Sequence, residues 1–273
     1  MANISRQRRP NGPLSAFVKC LWYWEGPPQT HKQERLMPNG EPSIIFNLRD
    51  DPIRVYEDDQ RRSGAYRRAV ISGARTNSFV IDTAQEDRVF GIQFRAGGAF
   101  PFLRMPASEL ENHTLELEMV WPRSTGELRE RLLAATTIEA MFALAEQYLL
   151  TELVRPLELH PAVAFARGRF CKHPHRVSVA AVLSEVGLSQ RRFIQLFHEQ
   201  LGLTPKAFCR VRRFQRILEK VHGEAEVDWA GVAVDCGYYD QAHFIHDFRE
   251  FSGLTPGLYL ARATEHLNHV PVL

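Results

Sequence analysis

The chain has only four cysteines among 273 residues, and no two of them form a Cys-x-x-Cys pair. This scatter argues against both a disulfide framework and a zinc knuckle. No stretch reaches the roughly 18 uninterrupted apolar residues that a membrane span needs. The polar, basic N-terminus lacks the apolar segment of a secretory signal. We therefore expect a cytoplasmic protein with no membrane partner.

The usual signatures of enzymes are also absent from the sequence. It contains no GxSxG, P-loop, GxGxxG or HExxH motif. A metal-dependent cupin enzyme needs a cluster of histidines with a carboxylate, and the strand-rich half offers only His31 and His113. A DNA-repair methyltransferase needs a reactive cysteine, and that half has only Cys20. We expect no enzymatic activity, no cofactor and no metal, and keep a cupin-like metal enzyme as an alternative.

The two halves of the chain follow different periodicities. Before about residue 120, period-2 segments and turn residues predict strands at 43–48, 76–82 and 90–95. From 125 to 153 the apolar spacing becomes helical. Pro156 marks the best linker, because a proline and its preceding residue both resist helix continuation. We predict two domains, 1–155 and 156–273. The basic segment 6–9 is predicted to be a disordered tail.

An internal repeat dominates the C-terminal third. Residues 190–205 match residues 241–256 at nine of 16 positions, with an offset of 51. Upstream the offset is 50, so the second copy has one extra residue, and it falls in a predicted turn. This region also carries a modest excess of Lys and Arg, although the whole chain has a net charge of only +2. A basic balance of this kind suits a polyanionic partner.

Each copy of the repeat has the residues expected of two helices joined by a tight turn. Ser178 and Asp228 are predicted to cap the first helices, and Ser189 and Asp240 the second helices. Between them stand Gly187 and Gly237, where a helix ends in a left-handed residue. Thr-Pro pairs at 204–205 and 255–256 each begin a further helix. The first of these helices, 205–221, is predicted to connect the two copies rigidly.

The exposed faces of the second helices carry side chains that suit base recognition, since Arg pairs with guanine and Gln with adenine. In the first copy these are Gln190, Arg191, Arg192, Gln195 and His198. In the second copy they are Gln241, Ala242, His243, His246 and Arg249. Asp247 leaves two alternatives, contact with a cytosine or a solvent-facing position. A protein-interaction scaffold is a further alternative, which these polar faces disfavour because interface cores are depleted of charge.

The segments GLSQRRFIQLFHEQLGLTP and DWAGVAVDCGYYDQAHFIHDFREFSGLTP resemble the paired helix-turn-helix signature of AraC/XylS-type transcription regulators. The resemblance runs from about 160 to 262 and implies an all-α domain of two helix-turn-helix units joined by a long helix. It implies double-stranded DNA and RNA polymerase as partners. Base contacts are expected at Gln190, Arg191, Ile194, Gln195, Gln241, Ala242 and His246. Phosphate contacts are expected at Arg192, Arg210, Arg212, Arg213, Arg216 and Arg249.

The segments RLMPNGEPSIIFNL, GIQFRAGGAFPFL and MPASELENHTLELEMVW resemble the sensor-type N-terminal domain of one AraC-like subgroup. This implies a β-rich, cupin-like barrel with flanking helices, hence an α+β protein of two domains, and control by an unidentified small molecule. Candidate pocket residues are Trp22, Trp24 and Arg95, the last beside a glycine pair that can hold an anion. The helices of 125–153 either pair with a second subunit in a homodimer or cover the barrel.

Overall fold

The computed structural model describes residues 3–27, 31–57, 62–83 and 87–272. These residues form strands β1 (Ile4–Arg8), β2 (Val18–Glu25), β3 (Gln33–Leu36), β4 (Ser43–Asn47), β5 (Ile53–Glu57), β6 (Arg62–Tyr66), β7 (Ala69–Ser72), β8 (Phe79–Asp82), β9 (Arg88–Phe94), β10 (Thr114–Glu116) and β11 (His269–Pro271). They form helices α1 (Ser124–Ala134), α2 (Ile138–Thr151), α3 (Pro161–Lys172), α4 (Val179–Val186), α5 (Gln190–Leu201), α6 (Pro205–Val221), α7 (Trp229–Asp235), α8 (Gln241–Ser252) and α9 (Pro256–Arg262).

The strands build two antiparallel sheets. One has the order β1-β2-β9-β4-β7-β10 and the other β11-β3-β8-β5-β6. Ile45 and Val70 of the first sheet pack against Val55 and Ile81 of the second, so one face of each sheet points into the space between them. The predicted strands at 43–48 and 90–95 correspond to β4 and β9. This β-rich N-terminal region, followed by a helical region that ends in the short strand β11, confirms the predicted fold class.

Two predictions for the N-terminal region were wrong in detail. The basic segment 6–9 is not a disordered tail, because β1 pairs with β2 along its whole length. The strand predicted from Thr76 begins at Phe79. The reason is that the backbone before it bonds elsewhere: the Thr76 amide donates to Asn112 Oδ1 at 2.8 Å, and the Ser78 amide donates to the Phe251 carbonyl at 2.8 Å.

Helices α1 and α2 cover the outer face of the larger sheet. Leu128, Leu132, Phe142 and Leu149 of these helices are buried in one cluster with Ile44, Phe46, Phe90 and Ile92 of the sheet. Thr137 caps α2 by accepting a hydrogen bond from the Ala140 amide at 3.1 Å. The apolar faces of both helices are therefore used within the chain, which favours the barrel-covering alternative over subunit pairing.

The two regions share a hydrophobic core. Phe17, Met37 and Phe100 of the N-terminal region lie in the same buried cluster as Phe197 and Phe208 of the helical region. In addition, β11, near the C-terminus, pairs with β3 of the smaller sheet. His269 of β11 also places its Nδ1 2.8 Å from Glu34 Oε2. The domain boundary at 155/156 stays a prediction, and these contacts tie the end of the chain to the N-terminal sheets.

Within the described ranges, no helix is both long and apolar enough to cross a membrane.

Candidate nucleic-acid interface

The first helix pair, α4 and α5, has the capping geometry that its sequence predicts. Ser178 accepts a hydrogen bond from the Ala181 amide at 3.1 Å, and Ser189 accepts one from the Arg192 amide at 3.3 Å. Gly187 ends α4 with φ +65°, a left-handed conformation that glycine adopts without steric cost. Local hydrogen bonds therefore determine where each of the two helices begins, and one glycine determines where α4 ends.

Helix α5 buries one face and exposes the other. Phe193 and Phe197 are completely buried, and their rings lie 5.8 Å apart. The side chains of Gln190, Arg191, Arg192 and Gln195 are exposed. Arg192 donates to Gln195 Oε1 at 3.3 Å, so these two lie side by side on the surface. Ile194 is half-buried and packs against the core. The structure thus places the predicted polar reading residues together on one accessible face.

His198 departs from this pattern. Its sequence position predicted an exposed reading residue, but its Nε2 lies 2.8 Å from Glu111 Oε2 of the N-terminal region. The C-terminal end of α5 lies against the short 3-10 helix Ala107–Leu110. A Cβ on Gly202, the residue after α5, would stand 3.1 Å from the Ala107 carbonyl. The exposed N-terminal part of α5 is therefore the part that a ligand can reach.

The second helix pair, α7 and α8, repeats the arrangement. Asp228 accepts hydrogen bonds from the Ala230 and Gly231 amides, and Asp240 accepts one from the His243 amide at 2.7 Å. Gly237 has φ +79°. The extra residue of this copy lies in the turn, as predicted: Tyr238 is buried, whereas Tyr239 is 92% exposed. The turn accommodates the extra residue because the side chain of Tyr239 points into solvent.

Helix α8 exposes the second set of predicted reading residues. Gln241, Ala242, His243, His246 and Arg249 are exposed, and Phe244 and Phe248 are completely buried. The ring of His243 lies 5.1 Å from that of Tyr238, in an edge-on contact. The end of α8 is held by the N-terminal region, since Ser78 Oγ donates to the Ser252 carbonyl at 3.0 Å. As in α5, the accessible part of the helix is its beginning.

Both alternatives for Asp247 were wrong. The residue is 3% exposed, and its Oδ1 accepts a hydrogen bond from Arg210 of α6 at 2.8 Å. The same guanidinium donates to Glu250 Oε2 at 2.6 Å. These bonds, to Glu250 first and Asp247 next, raise the pKa of Arg210 above its ordinary value. Asp247 is therefore an internal anchor between α6 and α8, which sequence reasoning missed because its partner lies on another helix.

One group of side chains in this region has the composition of a metal site. Donor atoms of His246, Asp247 and Glu250 lie within 4.8 Å of one another. Arg210, however, already donates hydrogen bonds to both carboxylates. The guanidinium of Arg210 supplies the positive charge beside these carboxylates, and we assign no metal ion to this group of side chains.

The predicted phosphate-binding arginines of α6 point in different directions. Arg210 bonds to the carboxylates of α8, and Arg213 lies over the ring of Tyr238 at 5.2 Å. Arg216 lines a cleft formed by the end of α3, the loop after it, α6 and α7. Arg212 lines a different cleft, of about 440 Å³, where the helical and N-terminal regions meet. Helix α6 therefore does not present a single arginine face.

The three predicted pocket residues of the N-terminal region are not brought together. Trp22 lies against Gly91, where a Cβ would stand 2.0 Å from the indole, and Trp24 is half-buried two residues along the same strand. Arg95 instead lines the interdomain cleft with Lys19, Arg167 and Arg212. Burial, and to a smaller extent the charge of Arg95, lowers the pKa of Arg167. The cationic cleft is a second feature that the sequence did not reveal.

Taken together, α4–α5 and α7–α8 are two helix-turn-helix units, the first and the second head. Helix α6 joins the two heads into one domain. Residues 182–262 match a family described as a helix-turn-helix domain. Residues 6–116 match a domain of unknown function, DUF6597. The C-terminal part of this chain is thus a helix-turn-helix domain, which confirms the pair of helix-turn-helix units expected from the sequence.

Similar proteins include several transcription regulators. Over 84 residues the chain is 31% identical to the probable transcriptional regulator LumQ of Photobacterium leiognathi, covering 31% of this chain and 34% of the relative. Over 136 residues it is 28% identical to the HTH-type transcriptional regulator GadX of Escherichia coli K12, covering 47% and 48%. The chain thus spans about half the length of these relatives, or less. An apo structure of ToxT from Vibrio cholerae aligns over 94% of this chain and 100% of that one, with 11% identity and a TM-score of 0.49.

Proposed function

We propose that the protein is a sequence-specific, DNA-binding transcription regulator of the AraC/XylS type. The observation that carries this proposal is the pairing of two exposed, polar helix faces, on α5 and α8, across one connecting helix. A helix of 17 residues spans roughly 26 Å, which suits two heads set about one DNA turn apart. Each head would place the start of its second helix in the major groove.

Most of the residues that we assign to bases are exposed, and the half-buried Ile194 and the partly exposed Arg213 and Arg216 are kept from the sequence resemblance. Base contacts are assigned to Gln190, Arg191, Ile194 and Gln195 of α5 and to Gln241, Ala242 and His246 of α8. Phosphate contacts are assigned to Arg192, Arg213, Arg216 and Arg249. Arg210 and Arg212 leave the assignment, since the first is held by two carboxylates and the second lines the interdomain cleft.

Replacement of Arg191 by alanine tests the base-reading assignment. We expect the variant to lose about 1–3 kcal/mol of binding free energy on the preferred duplex, because a bidentate contact to guanine is worth about that much. It should also accept any base at one position of the site. Binding titrations on the preferred duplex and its single-base variants measure both effects.

Arg54→Ala is the matched control, since Arg54 is an exposed arginine on β5 of the N-terminal region. It should leave both affinity and preference unchanged. An Arg191→Ala variant that keeps the full preference of the parent would show that α5 does not read bases at this residue.

We propose further that a small molecule carrying an anionic group controls the regulator from its N-terminal domain. The support is the cleft lined by Arg95, together with Lys19, Arg167 and Arg212. Glu41 of the same cleft is bound to Lys19 at 2.7 Å, and Glu219 of α6 is a second carboxylate in its lining, so the four cations outnumber the carboxylates. Because Arg212 belongs to α6 and Arg95 to the N-terminal region, an anion held here contacts both regions at once. Its binding would therefore alter how the two heads are held.

Substitution of Arg95 by glutamine tests the effector proposal. Small organic anions that bind the cleft should raise the melting temperature of the parent protein, because a ligand bound only by the folded state stabilises it. The Arg95→Gln variant should lose this shift, while Arg54→Gln keeps it. If the Arg95→Gln variant keeps the whole shift in melting temperature, the effector does not bind in this cleft.

The remaining partners in the proposal are RNA polymerase and a second copy of the chain. Pairing of two copies needs a surface other than the apolar faces of α1 and α2, because those faces pack on the sheet. Sedimentation of the protein with and without its preferred duplex measures the number of chains bound.

A further inference from the structure

A basic cleft of about 360 Å³ lies where the loop before α4 meets α6 and the end of α7. Lys172, His175 and Arg176, from the end of α3 and the loop after it, line one side of it. Arg216 and Lys220 of α6 and Asp235 of α7 line the other. The cleft thus joins residues of the segment that leads into the first head, the connecting helix and the second head. None of the sequence motifs pointed to the loop residues.

The cleft has more cations than its own carboxylate can neutralise. Asp235 pairs with Lys220 at 2.7 Å, and this bond lowers the pKa of Asp235. In the part of the chain that the structure describes, no carboxylate lies within 4 Å of the charged groups of Lys172, Arg176 or Arg216. Three positive charges therefore lie beside one satisfied ion pair.

Two hydrogen-bond donors on residues that line the cleft have no acceptor. Arg176 Nε donates to His175 Nε2 at 3.2 Å, so the hydrogen of a neutral His175 ring lies on Nδ1. That Nδ1 is buried without a partner, and so is Nε of Arg216. Burial, followed by Arg176 and Arg216, lowers the pKa of His175. Both atoms are shielded from solvent, so the charges of Lys172, Arg176 and Arg216 are the groups that an anion in the cleft can contact.

The position of the cleft indicates which anion this is. A Cβ on Gly237 would stand 2.6 Å from the Cβ of His175, so the loop packs against the turn of the second head. That turn leads into α8 through Tyr238, whose ring contacts His243. On the other side, Ser178 follows the same loop and caps α4. In helix-turn-helix proteins the first helix crosses the DNA backbone, and the turn and the start of the second helix lie next to the groove.

We propose that this cleft binds phosphates of the DNA backbone between the two base-reading helices. The inference rests on the proposed function, since it takes a duplex as the ligand. When two heads read major grooves one turn apart, the stretch between them presents its backbone to the connecting part of the protein. A phosphate held by Lys172, Arg176 and Arg216 there adds affinity without sequence preference and fixes the distance between the heads.

The experiment combines protein variants with single neutralised phosphates. The preferred duplex is prepared with one methylphosphonate at a time along the spacer and along the outer flanks. The parent protein should lose affinity several-fold at one or two adjacent spacer positions. Arg216→Gln should show that loss on the unmodified duplex and no further loss at those positions. Its salt slope should be smaller by about 0.9 for each phosphate contact removed. Lys172→Gln should behave alike, and Arg54→Gln is the control.

Two outcomes would overturn the inference. One is that Arg216→Gln and a spacer methylphosphonate weaken binding independently at every position. The other is that the variants bind DNA like the parent but lose stabilisation by inorganic phosphate, which would place a free anion in the cleft. A parent protein that prefers no duplex at all would instead reject the proposed function. Thermal unfolding of each variant shows whether it is folded, so that a folding defect is not mistaken for a lost phosphate contact.

Discussion

Replacing Phe197 by alanine is expected to lower the free energy of unfolding by about 3–5 kcal/mol, as large-to-small changes of buried aromatics do. The Phe197 ring is completely buried, and it lies 5.9 Å from the ring of Phe170, 5.8 Å from that of Phe193 and 5.7 Å from that of Phe208. It thus joins α3, α5 and α6 at one point, and its removal leaves a cavity that three helices surround. Denaturant titration followed by circular dichroism measures the change.

Gln195→Ala on the same helix is the control for that experiment. Gln195 is exposed, so its replacement should change the stability by no more than about 0.5 kcal/mol. Equal stabilities for the two variants would contradict the packing of the first head around Phe197.

Arg210→Met is expected to destabilise the protein by about 3 kcal/mol, because it leaves the buried carboxylate of Asp247 without its partner. Breaking a buried ion pair by removing one member costs more than replacing both members. The double variant Arg210→Met with Asp247→Leu should therefore recover most of the lost stability. Glu250, which also pairs with Arg210, is nearly half exposed and remains solvated.

Arg192→Met is the matched control for Arg210→Met, since Arg192 is an exposed arginine whose side chain bonds to Gln195 on the surface. It should have little effect on unfolding. A simple sum of the single effects in the double variant would show that Arg210 and Asp247 do not act as a pair. The experiment also decides why Arg210 matters, because a phosphate contact leaves stability in the absence of DNA unchanged.

Local signals account for most of what the sequence predicted correctly. The caps at Ser178, Ser189 and Asp240 and the left-handed Gly187 depend on neighbouring backbone alone, so a few residues suffice to predict them. The buried phenylalanines follow from helical spacing in the same way. For this reason the two heads and the exposed reading faces could be placed from the sequence.

Contacts between distant segments could not be predicted in the same way. Arg210 and Asp247 are 37 residues apart, and the sequence alone indicates two exposed charges. They form an ion pair only because α6 and α8 pack together. His198 appeared to belong to the reading face, whereas its partner Glu111 lies in the other region. Strand β11 has only three residues, too few for a recognisable strand pattern, and it is a strand because it pairs with β3. Periodicity carries no information on such pairings.

The distribution of cations in the helical region could not be predicted from the sequence for the same reason. A helical wheel groups the arginines of α6, but it does not show that Arg212 faces the N-terminal region and Arg216 the cleft at the end of α3. Lys172 ends α3 and Arg176 lies in the loop after it, so no periodic pattern assigns them to the same cleft as Arg216.

The central claim, two-headed reading of DNA, is tested most directly by selection from a random duplex library with the whole protein. Arg191→Ala is run in parallel. The proposal predicts a motif of two short blocks about one helical turn apart, with the preference in one block relaxed by the substitution. A single block, or a two-block motif that Arg191→Ala leaves unchanged, would contradict it.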